Sequence, residues 1–207
     1  MRAFKLGFIA MVLAIAALTT SAGGVTRPGA QSLRWDFIDV NLSAKQITPG
    51  GADTSKDDAT GDTLTLTGSG QFTPSRRVAS GGGTFVHKHA DGTVFAQGFY
   101  YVTKFGSYRI GGGEGPKGFT DRVAGDGQGT PLDGILRMTV QLVALVDGKP
   151  QTPRTAPLTI YCTFEHNHLG LKESDEGFRL TTGALRFKQT QLTPTTVIGA
   201  TVFHRLR

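Results

Sequence analysis

The sequence predicts an all-β domain, a single antiparallel barrel of about eight strands, with a β-sandwich as the alternative. Three observations lead there. Apolar and polar residues alternate with period two along most long segments, no segment carries a sustained helical repeat, and turn signals punctuate the alternating runs. Eight strands in a meander suit closure, because a closed sheet leaves no exposed edge.

The elements follow in order. Arg2 and Lys5 precede an uncharged apolar run, Leu6 to Leu18, and small residues end at Ala22. That is the layout of a secretory signal peptide, and the run is too short for an ordinary membrane span. Residues 1–22 are therefore expected to be a leader and 23–207 one exported barrel domain, secreted or held in the periplasm or cell envelope, with no membrane span after cleavage. Strands are expected near residues 32–42, 62–73, 82–90, 93–105, 134–147, 156–168, 177–189 and 195–205. In the first, the apolar phase changes from Trp35 and Phe37 to Ile38, Val40 and Leu42, the mark of a bulge or a sharp bend. Asp91-Gly92 divides two alternating runs as a hairpin would. Residues 43–61 and the Gly-rich 106–133 are expected as long loops, placed to act as lids over one mouth.

Gly68-Ser69-Gly70-Gln71-Phe72, followed by Ala79-Ser80-Gly81-Gly82-Gly83-Thr84-Phe85, resembles the mid-barrel hairpin of the allene oxide cyclase and dirigent-like barrels. The resemblance covers about twenty residues. It implies an eight-stranded antiparallel barrel with an apolar cavity. Pro74 and Arg76-Arg77 depart from the pattern, and no catalytic residue carries over.

Chemistry-bearing residues are few. His87/His89 and His166/His168 form two His-x-His pairs, and residues two apart on a strand share a face. If the pairs meet at one mouth, four imidazoles could hold zinc or copper. Cys162 is the one cysteine, so no intrachain disulfide forms, and its place on an apolar face predicts a buried, inert thiol. Lys172 to Glu176 reads as a solvated, charged turn. Trp35, Phe37, Phe72, Phe85, Phe99, Tyr101 and Phe203 are the aromatic residues expected to line an interior pocket.

The net charge is +6, or +4 once Arg2 and Lys5 leave with the leader. The charge is spread along the chain, with only Arg76-Arg77 and the tail His204 to Arg207 locally basic, so nucleic acid is not expected as a partner. The reading is a secreted β-barrel binding protein for an apolar small molecule or an envelope component. The alternatives are an enzyme, cyclase/isomerase-like or histidine–metal dependent, and a structural envelope protein.

Overall fold

A computed structural model describes residues 31–113, 115–123, 129–189 and 197–206. The leader expected at 1–22 lies outside them. Fifteen strands follow one another: β1 (Leu33–Asn41), β2 (Gln46–Pro49), β3 (Ala52–Asp57), β4 (Thr63–Thr67), β5 (Ser69–Thr73), β6 (Val78–Lys88), β7 (Val94–Ile110), β8 (Thr120–Asp121), β9 (Pro131–Leu132), β10 (Gly134–Val146), β11 (Lys149–Pro150), β12 (Arg154–Cys162), β13 (Gly177–Thr182), β14 (Leu185–Gln189) and β15 (Val197–Arg205). Eight of them close an antiparallel barrel in the order β3-β4-β6-β7-β10-β12-β13-β14 and back to β3. No described helix is long and apolar enough to cross a membrane.

The barrel closes because most of its strands are oily on one side. Along β10, Leu136, Met138, Val140 and Leu142 are buried, and along β12 Ala156, Leu158, Ile160 and Cys162 are. All eight join one core. In β7 the inward positions are Ala96, Gly98, Tyr100 and Val102. Thr103 and Gly106 then stand unpaired against β10, and these two irregularities shift the inward phase to Phe105 and on to Tyr108.

The remaining strands extend this sheet outside the barrel. β5 continues from β4 and pairs with the first half of β6, β1 pairs with β5, and β15 pairs with β1. β15 then lies across the end of the barrel where β12 finishes. There the Thr201 hydroxyl meets the Tyr161 carbonyl at 2.6 Å. The close approach needs glycine: a Cβ on Gly199 would overlap the Ala52 carbonyl oxygen.

The phase change expected in β1 has a different cause from a bulge. The β1–β15 register runs unbroken from Leu33 to Asn41. Leu33, Trp35 and Phe37 enter the main core, while Ile38 on the opposite face joins a second, smaller core with Ile47, Val123, Ala200 and Val202. The strand is buried on both sides, so both phases are apolar. The two expected loops are also partly strands. Residues 46–57 form β2 and β3, and β2 pairs parallel with β8, which ties 43–61 to 106–133.

Candidate functional site

The end of the barrel capped by β15 carries a cavity of about 570 Å³. Two connections wall it, the Gly-rich chain between β7 and β10 and the turn between β12 and β13. Lys117 and Phe119 come from the first, and Thr163, Phe164, Glu165, His166, Leu171 and Glu173 from the second. Each wall is fixed locally. Asn167 closes the turn, its amide donating to the carbonyls of Phe164 and Leu171 at 2.9 Å while its Oδ1 accepts from Leu171 N. The glycine chain is pinned on Asp133. Gly113 N donates to Asp133 Oδ1 at 2.8 Å, His168 N donates to Gly111 O at 2.6 Å, and a Cβ at Gly111 or Gly113 would strike the Asp133 carboxylate. Phe119 and Phe164 pack on the second core beneath.

Behind the cavity wall lies a pair of buried acids. Thr163, which lines the cavity, donates from its backbone N at 2.6 Å and its hydroxyl at 3.1 Å to Glu176 Oε2. Thr201 N donates to Oε1 at 2.7 Å. The Thr201 hydroxyl lies 2.6 Å from Tyr161 O and 2.8 Å from Glu176 Oε1, yet it has one proton for two acceptors. When that proton serves the shorter contact to the carbonyl, the other is a hydrogen bond only if Glu176 carries its own. Burial gives the same answer: it pushes Glu176 up to about 7 against the pull of these four donors. Burial, and then the neighbouring Glu176 charge, push Asp53 up to about 8. Asp53 Oδ2 has no hydrogen-bond partner among the described residues, which also suits a neutral carboxyl.

Neither acid stood out in the sequence. Glu176 belongs to the stretch read as a solvated charged turn, and the structure corrects that: it is 8 % exposed, while Glu173 of the same turn stays on the cavity rim. Its parity was the available signal, since Glu176 continues the inward face of Phe178 and Leu180. Asp53 lies on β3, whose inward residues Asp53, Ser55 and Asp57 are all polar, so no alternation of oily residues marks the strand.

The expected histidine quartet does not assemble. His87 and His89 sit where β7 begins, His166 and His168 where it ends, because β6 enters the β7 hairpin at Lys88 and β12 finishes opposite Gly134. The expected continuation of β12 to residue 168 also fails: the strand stops at Cys162, and His166 takes a left-handed backbone (φ 63°) that ends the alternation. Among the described residues, no three His, Cys, Asp or Glu side chains are placed to hold a metal ion together. His87 and His89 instead share one carboxylate, Asp62 Oδ2, at 2.8 and 3.4 Å. Burial raises Asp62, but the two imidazoles outweigh it and hold its carboxyl below the usual range. His166 alone reaches the cavity.

The seven aromatic residues divide. Trp35, Phe37, Phe72, Phe85 and Phe203 are buried, and rings stack edge-on through the series Trp35–Phe37–Phe178 and Phe72–Tyr108–Phe203. They fill the core and line neither the mouth cavity nor a smaller one of about 250 Å³ beside Leu33 and Leu132. Phe99 and Tyr101 point outward, 53 % and 41 % exposed, because Tyr100 takes the inward position between them. Cys162 is fully buried as expected, and burial pushes its thiol well up.

Sequence reasoning also missed a third cluster, roofed by β8. His204, with no exposed surface, contacts Asp121 Oδ2 at 2.6 Å through Nε2, and its Nδ1 has no partner among the described residues. Asp36 lies on the same face of β1 and takes a bidentate hydrogen bond from Arg34 Nε and Nη2. Burial raises Asp36, and Arg34 offsets part of that. No known family model matches this chain, and no curated protein or solved structure is detectably similar to it.

Proposed function

We propose that this chain is an exported binding protein that holds a small amphipathic molecule in its mouth cavity. The cavity itself carries the reading. At about 570 Å³ it falls in the size range of small-molecule sites. Its lining sets Phe119, Phe164 and Leu171 beside Lys117, Glu165, His166 and Glu173, which suits a ligand with one apolar face and one charged or hydrogen-bonding edge. This moves the ligand from the aromatic interior, which its own rings fill, to the mouth. Residues 1–22 supply the export signal in this reading.

The test is a nuclear magnetic resonance screen of the processed protein against amphipathic aromatic acids and amines. Amide shifts confined to 115–119 and 163–173, and lost in a Leu171→Glu variant, are the expected result. Shifts that map elsewhere, or no binding to any compound, overturn the proposal.

A further inference from the structure

The barrel wall separates charge in a way the linear sequence hides. β6, β7, β10, β12, β13 and β14 are six neighbouring strands, and not one Asp or Glu occurs in them. They carry Lys104, Arg109, Arg137 and Arg179, all exposed. The acids of the fold lie on β1, β3 and β8 and in the connections.

Register turns these residues into a track. Along the β7–β10 pair, Phe99 stands opposite Val143, Tyr101 opposite Gln141, Lys104 opposite Thr139, Arg137 opposite Ser107 and Arg109 opposite Ile135. Successive outward positions on β10 are about 7 Å apart, so the track is roughly 27 Å long. It presents two exposed aromatic rings and then three cations. Lys104, Arg109 and Arg137 have no ion-pair partner among the described residues. Thr159 links Arg137 to Arg179 across two strand spacings, roughly 10 Å.

We propose that this outer wall binds an anionic polysaccharide. Three features fit that partner together. The cations meet its carboxylates or phosphates, with no anion on the strand face to compete. The rings of Phe99 and Tyr101 offer electron-rich faces to the C–H faces of sugar rings. The neutral residues around them, Thr84, Gln97, Thr139, Gln141 and Thr159, both donate and accept hydrogen bonds, as sugar hydroxyls do. The cations recur about every 7 Å. Each strand of a DNA duplex presents a charge about every 3.4 Å along its axis, so the wall is sparse for a duplex.

The experiment measures binding of the full chain to polygalacturonate by calorimetry at low and high salt. Neutral dextran, an oligo-dT strand and phosphatidylglycerol vesicles are run beside it. Polygalacturonate should bind, and bind more weakly in high salt, while dextran does not. Replacing Lys104, Arg109 and Arg137 together by Gln, or Phe99 and Tyr101 together by Ser, should each weaken binding about tenfold or more. Replacing Arg76 and Arg77 together by Gln removes charge off the track and should change it less than about twofold. Circular dichroism of every variant must match the parent, and whichever track variant folds decides the result. The proposal is overturned by absent polygalacturonate binding, by an equal loss in the Arg76/Arg77 control, by unchanged binding in a folded track variant, or by tighter binding to oligo-dT or to the vesicles.

Discussion

Asp53→Asn should flatten a steep pH dependence of stability that the two buried acids create. In the unfolded chain these carboxyls titrate near 3.8 and 4.5, and in the fold near 8 and 7. Both folded values are raised, so the folded state holds protons the unfolded state has released, and stability falls as pH rises through the window between them. Between pH 6 and 8 the fold holds on average between about one and two extra protons, so the total is a drop of about 4 kcal/mol, a large share of an ordinary domain's stability. Asn keeps the shape of Asp53 without the titration, leaving about 1 kcal/mol from Glu176. Trp35 is the only tryptophan and is fully buried, so its fluorescence reports urea unfolding directly. Midpoints measured at pH 6 and pH 8, parent against variant, cancel every contribution common to both. A parent profile that is flat or rises over this interval, or a variant that falls as steeply, refutes the buried-acid account.

Two further outcomes test the packing that supports the site. Tyr100→Ala should cost about 3–5 kcal/mol, because it empties a core position. Phe99→Ser, one residue away, should stay within about 0.5 kcal/mol; equal costs would mean that the inward phase of β7 is wrong. Gly199→Ala places a methyl against the Ala52 carbonyl, where only the backbone can yield. It should destabilise by about 1–3 kcal/mol and speed hydrogen exchange at Thr201 N, the donor to Glu176. A stability equal to the parent's would show that β15 does not press on β3.

The barrel was legible where inward residues are oily. Leu136 to Leu142 and Leu158 to Cys162 alternate cleanly, and the strands expected there are found. β3 was missed because its inward side chains are Asp53, Ser55 and Asp57, and hydropathy sees only polarity in such a run. Their partners are what make the strand: Ser55 Oγ donates to Phe178 O, and Asp57 accepts from Arg186 N, both more than a hundred residues away in sequence. The glycines that suggested kinship were legible for a physical reason. Cβ atoms at Gly70, Gly82 and Gly83 would each overlap a facing backbone, so this crossing demands glycine in any chain that builds it. The cavity was half legible, since its Gly-rich wall stood out but its second wall was read as strand up to His168. The basic and aromatic track was hidden, because Lys104 and Arg137 are far apart in sequence and come to adjacent positions on one face only through the β7–β10 register. Side-chain chemistry confined to one strand can be read from the order of residues. Chemistry shared between strands depends on register, and β7 shifts its register twice within the track itself.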